Sequence, residues 1–158
     1  MQKHFTATAV VHRPNGDVLM VFHRKLNCWL CPGGHIETNE LPDEAVLREI
    51  WEETGLQARL LPGEESWVCC DTHAAQLCQP LCILEEQIPD PVQGMHAHID
   101  LVYRAIVEGE PVLNASEAKD IRFFTPAQIA QLEMYENVRS VIERSIWLWH
   151  QERKNGIN

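Results

Sequence analysis

Residues 34–56 read Gly34-His-Ile-Glu-Thr-Asn-Glu40-Leu-Pro-Asp-Glu-Ala-Val-Leu-Arg48-Glu49-Ile-Trp-Glu52-Glu53-Thr-Gly55-Leu56. Pro42 suits a first helical turn and Gly55 the position just past a last one, so the spacing predicts a helix over residues 42–54. At about 100° per residue, Val46, Leu47, Ile50, Trp51 and Thr54 share the packing side, while Glu49, Glu52 and Glu53 fall within about 100° of arc. Ala45 lies in that acidic sector and is expected to leave room above it. Seven of the chain's 23 acids sit in these 23 residues (Glu37, Glu40, Asp43, Glu44, Glu49, Glu52, Glu53) against one base, Arg48. Like charges one turn apart repel by a few tenths of a kcal/mol per pair. On the helix alone two explanations stand: a solvated acidic face, or a carboxylate set that holds a hard divalent cation beside substrate phosphates. Pro32-Gly33-Gly34 precedes the helix and strips side chains from the place where backbone would approach a metal or phosphate.

The same segment has a fixed spacing. Gly34, five residues, Glu40, seven residues, then Arg48-Glu49-Ile50-Trp51-Glu52-Glu53-Thr54-Gly55-Leu56 resembles the Nudix box (residues 34–56) at every defined position. The resemblance implies an α/β/α sandwich with a mixed central sheet. It also implies hydrolysis of a nucleoside diphosphate linked to another group, by water attack on phosphorus with Mg²⁺ or Mn²⁺. Residue by residue, Glu49, Glu52 and Glu53 then resemble the metal ligands, joined by the backbone carbonyl of Gly33. Arg48 would orient them, with Glu40 or Glu44 pairing to it. For the general base Glu53 ranks first, ahead of Glu52, Glu86 and Glu117. Leu41 departs from the hydroxyl residue often found there and cannot cap the helix through its side chain. The box does not specify the leaving group, so triphosphates, sugar nucleotides, ADP-ribose and oxidised nucleotides all stay open.

Outward from the box, residues 5–12 and 18–22 read as a hairpin around Pro14-Asn15-Gly16-Asp17. Residues 29–31 read as a third strand stopped by the glycines. Downstream, 56–61, 67–71, 78–86, 98–107 and 121–124 carry strand patterns. Thr125-Pro126-Ala127-Gln128 is a capping signal. A last helix from 136 carries Val138, Val141, Ile142, Ile146 and Trp149 at packing spacing. With no internal repeat, 158 residues fit a single domain over 1–158.

The net charge of −10 and pI near 5.2 count against a long nucleic-acid or anionic-membrane partner, though not against a small nucleotide carried with a cation. No apolar run is long enough for a membrane helix and no secretory signal is present, so a cytoplasmic protein is expected, with its six cysteines reduced. His96, His98 and Asp100 alternate and should share one strand face, where a further metal site competes with a polar wall beside the substrate. His98, Asp100 and Glu117 are the candidates to touch substrate. Cys28-x-x-Cys31 with Cys69-Cys70 lacks the spacing of a zinc site and reads as ordinary thiols. Trp29, Trp67 and Tyr103 read as core before they read as base-stacking groups. Trp147 and Trp149 should face different ways, one packing and one serving a dimer contact; a monomer and a homodimer both stay open. Two other readings compete with the hydrolase: a silent nucleotide-binding sensor, and an RNA 5′-end pyrophosphohydrolase.

Overall fold

Alternation along the first strand, β1 (Lys3–His12), sorts the molecule into layers. Its odd-numbered residues Ala7, Ala9 and Val11 pack with Ala45, Val46 and Ile50 of the helix α1 (Pro42–Thr54). The even-numbered Val10 packs on the opposite face with Ile142 of the long helix α3 (Glu136–Lys154) and Ile129 of α2 (Pro126–Ile129). Helices therefore cover both faces of one sheet, the expected α/β/α sandwich. The computed structural model describes residues 1–63, 67–68, 70–90, 92 and 94–156.

Among the described residues eight strands form that sheet: β1, β2 (Val18–His23), β3 (Cys28–Leu30), β4 (Gly33–His35), β5 (Ala58–Leu60), β6 (Cys82–Asp90), β7 (Gly94–Val107) and β8 (Ala118–Phe124). β1 pairs in parallel with β7 from Lys3↔Ala97 to His12↔Ile106; the other pairings are antiparallel, so the sheet is mixed. On its other edge β1 pairs first with β4 (Thr6 to Thr8) and then with β2 (Val11 and His12). The sheet forks between these two partners, and Gly33 and Gly34 line the fork.

Several sequence expectations change in detail. The glycines do not merely stop β3; they form β4, a strand of their own. Residues 67, 68, 70 and 71 form no strand, and Trp67 is 79% exposed, so it is neither core nor sheet; Cys69 lies outside the described residues. β-Favouring side chains need a partner edge, and residues 67, 68, 70 and 71 join none of the described strands. β6 begins at Cys82 rather than 78, just after Pro80, and runs on to Asp90. It tolerates Pro89 because, among the described residues, its ladder is with β7 alone. Ala45 leaves no space above it, being fully buried against the sheet. Tyr103 is buried and Trp29 packs edge-on against Phe22 and Phe124. Trp149 packs inward on His12, whereas Trp147 is half-exposed under the Arg144 guanidinium. Among the described residues no helix is long and apolar enough to cross a membrane.

A buried polar chain ties β1 and β7 to α3. Arg104 of β7 grips Glu152 of α3 with two bonds of 2.6 and 2.9 Å, and its Nε donates to Ser145 Oγ at 3.2 Å. Ser145 Oγ lies 2.7 Å from His12 Nε2, and His12 Nδ1 lies 3.3 Å from the Gly16 carbonyl. One proton arrangement satisfies every group: His12 donates from Nδ1 to Gly16, and the Ser145 hydroxyl donates to Nε2. Burial, the largest cause, pushes the His12 imidazole down to about 4.

Candidate active site

α1 starts and stops as its sequence dictates. Leu41 gives no side-chain cap; instead Glu44 reaches back to accept from the Leu41 N–H at 3.2 Å. That occupies Glu44, and of the two expected partners Glu40 alone pairs with Arg48. At the other end Gly55 takes a left-handed φ of 69° and donates its N–H to the Trp51 carbonyl.

Arg48 is the hub. Its Nε and Nη2 hold both oxygens of Glu40 at 2.7 and 3.0 Å, while Nη1 reaches Glu49 Oε1 at 2.8 Å and Glu52 Oε2 at 3.1 Å. Nη2 also donates to the His35 carbonyl at 3.0 Å, tying the helix to β4. The guanidinium pulls Glu40 below the usual carboxylate range. Glu49 goes the other way: burial raises it more than Arg48 lowers it. A planar fork that meets three carboxylates and a carbonyl at once is work that a lysine ammonium cannot do.

Glu53 sits deepest. Its Oε2 accepts the Gly33 N–H at 3.0 Å. Burial first, then the charges of Glu49, Glu117 and Glu52, push its carboxyl up to about 8 against that one bond. The β1–β4 ladder explains why Gly33 faces it. Ala9 N–H bonds the Pro32 carbonyl and Ile36 N–H bonds the Phe5 carbonyl, so hydrogen-bonded pairs alternate and Thr8↔Gly33 falls between them. Both backbone polar groups of Gly33 therefore turn away from β1, toward the carboxylate side. Gly34 leaves the space the site needs, since a Cβ there would stand 2.5 Å from the carboxylate carbon of Glu49.

The structure thus gathers Gly33, Glu40, Arg48, Glu49, Glu52 and Glu53. Glu117 is near enough to act on the charge of Glu53 and is exposed. Asn114, which sequence reasoning missed, donates to the Glu52 carbonyl at 3.3 Å and seats the loop after β7 on the end of α1. Asp100 is engaged within the sheet: Oδ1 accepts the hydroxyls of Thr6 and Thr8 at 2.8 and 2.9 Å, and burial raises its carboxyl. Glu86 accepts from Asn137 at 2.6 Å and is raised by burial and by Asp100. It borders Asp100 rather than the α1 glutamates. His96 and His98 share a face as expected, but their company is histidine: His4, His35, His96 and His98 form one cluster of rings. Cys28, Cys31, Cys70, Cys78 and Cys82 are free, and among the described residues none joins a metal-binding group.

Known proteins resemble this chain in sequence and fold. A model of the NUDIX domain matches residues 2–145. Phosphatase NudJ of Escherichia coli K12 is 32% identical over 144 residues, covering 83% of this chain and 89% of that protein. A NUDIX-family hydrolase crystallised from Clostridium perfringens superposes with a TM-score of 0.76 at 27% identity, over 94% of this chain and 99% of that one. The NUDIX domain of Shewanella oneidensis NrtR, solved with ADP ribose, shares the fold at a TM-score of 0.64 and 18% identity, over 92% of this chain and 87% of that one. Two shorter matches to curated proteins span 36% and 13% of those proteins' lengths. A domain match along nearly all of the sequence, with a relative aligned over most of both chains, shows that this chain belongs to the Nudix hydrolase family.

Proposed function

We propose that the protein hydrolyses the pyrophosphate linkage of a small nucleoside diphosphate derivative with Mg²⁺ or Mn²⁺, by water attack on phosphorus. The observation that carries this reading is the pairing of two adjacent glycines with two glutamates: Gly33 N–H on Glu53 and the side-chain-free face of Gly34 on Glu49. The donor set is all oxygen, from Glu49, Glu52, Glu53 and the Gly33 carbonyl, which suits a hard divalent ion. A carboxyl held up to about 8 by burial is short of exactly such a positive neighbour. When bound, the ion supplies positive charge against the phosphoryl oxygens and acidifies the attacking water. The chain's own residues do the rest. Arg48 fixes the carboxylates of Glu49 and Glu52, Glu40 fixes Arg48, and Glu53 takes the proton of the attacking water. Support for a small nucleotide comes from the net charge of −10, which disfavours RNA tracking, and from the ADP ribose bound by the NrtR domain.

The test is a panel of nucleoside triphosphates, sugar nucleotides, ADP-ribose, oxidised nucleotides and 5′-triphosphate RNA, each with Mg²⁺, Mn²⁺ or EDTA. Cation-dependent release of phosphate, pyrophosphate or two monophosphates from a small nucleotide is the expected outcome. Nucleotide binding with no turnover under any ion would favour the sensor, and strongly salt-dependent turnover of RNA alone would favour the RNA enzyme.

Gly34→Ala tests the position of Glu49. The atoms nearest the new methyl are those of the Glu49 carboxylate, 2.5–2.7 Å away, so that carboxylate must move, by about 1 Å. A displacement of that size costs on the order of a hundredfold in rate. Unchanged kcat with an unchanged Tm would show that the position of Glu49 is immaterial.

A further inference from the structure

The proposed reaction assigns no role to the four histidines that gather near the start of β1, His4 of β1, His35 of β4, and His96 and His98 of β7. Parallel pairing sets His4 beside His98, and β4 ends with His35 paired to Thr6. Ring centroids of His4, His96 and His98 lie 5.1–6.1 Å apart. One ring nitrogen from each of these three falls within 4.8 Å of the other two. His4 Nδ1 and His98 Nε2 are buried with no hydrogen-bond partner, an arrangement that costs about 1–3 kcal/mol per group if nothing fills it. His96 Nδ1 contacts the Gly94 carbonyl at 3.4 Å, which leaves its Nε2 free to ligate. Burial and the neighbouring rings hold His98 down at about 4 and His35 below the usual imidazole range. Converging ring nitrogens, two of them without a hydrogen-bond partner, offer lone pairs to a metal ion.

We propose that His4, His96 and His98 form a second metal site, separate from the α1 glutamates, for a borderline-soft divalent ion of the zinc class. Imidazole nitrogen suits Zn²⁺, Ni²⁺ or Cu²⁺, whereas Mg²⁺ prefers oxygen. Tetrahedral zinc at about 2.0–2.1 Å from each nitrogen spaces its ligands about 3.3 Å apart, so small side-chain rotations close the set. His35 is exposed, with its ring 5.3 Å from His4 and 5.0 Å from His98, and flanks the open position. An ion here pins the start of β1 to β7, next to the strand that carries Gly33 and Gly34.

The experiment uses the full chain without an affinity tag, stripped with EDTA and then given Zn²⁺ or Co²⁺ in millimolar Mg²⁺. One zinc per chain should survive gel filtration. The Co²⁺ form should show ligand-field bands of a nitrogen site with no thiolate charge-transfer band. Glu53→Gln should retain the ion, while His96→Ala and His98→Asn should each weaken binding by about a hundredfold or more, since even outer-shell losses reach that size. Circular dichroism of the stripped variants establishes that they fold, and His4→Ala, at the strand's start, serves should either fail. Absence of retained zinc, a thiolate band, or full retention in the histidine variants would each overturn the site.

Discussion

Glu53→Gln should lower turnover by on the order of 10³-fold and leave the fold intact, an effect within the range of a lost base or metal ligand. Glutamine fills the same volume and its oxygen can still accept the Gly33 N–H that Glu53 accepts at 3.0 Å. What goes is the negative charge and the basic lone pair. Because burial holds the Glu53 carboxyl up at about 8, its charged fraction grows as pH rises through the neutral range. A bound cation favours the charged form and moves that rise to lower pH. Wild-type kcat/KM at fixed, sub-saturating Mg²⁺ should therefore climb from pH 6 toward 9, and the residual activity of Glu53→Gln should lose that climb. A variant that keeps a tenth of wild-type turnover, or the same slope, would move the base elsewhere, with Glu52 next in rank.

The second large effect concerns acid stability. His12 is fully buried and held at about 4, against 6.5 in an unfolded chain. Above pH 6.5 the imidazole is neutral in both states and linkage contributes nothing. Between 6.5 and 4 only the unfolded chain binds the proton, so stability falls as pH falls; below 4 the loss levels off. The total is about 3 kcal/mol. Urea unfolding at pH 7 and pH 4 should show the wild type losing about 3 kcal/mol more than His12→Gln, which carries no titrating group there. Carboxylates titrate in both proteins and cancel in the difference. Parallel losses would mean that the buried ring is protonated without penalty.

Local signals are legible in the chain. The stripe of α1, its Gly55 stop, the β1–β2 hairpin and the Thr125 cap each depend on neighbours a few residues away. Glu49, Glu52, Glu53 and Arg48 meet for the same reason, since helical spacing alone brings them together. The misses share another cause. β4 was hidden because glycines are poor strand formers, yet here they are the residues that fit between β1 and the glutamates. Trp67 and Val68 carry β-favouring side chains, yet residues 67, 68, 70 and 71 form no strand. His4 and His35 gave no hint of joining His96 and His98, because their meeting depends on the β1–β7 and β1–β4 registers. The role of Asn114 likewise depends on a contact across 62 residues that local spacing does not encode.

The parallel partnership of β1 and β7 carries a consequence for biogenesis. Each of its pairs joins residues 94 positions apart, as Lys3 with Ala97. At about 5–20 residues per second on the ribosome, the central strand waits several seconds for its mate, with an adhesive edge exposed. Refolding in the test tube should be correspondingly slow for a chain of this size, because so distant a pairing must close before the layers can condense.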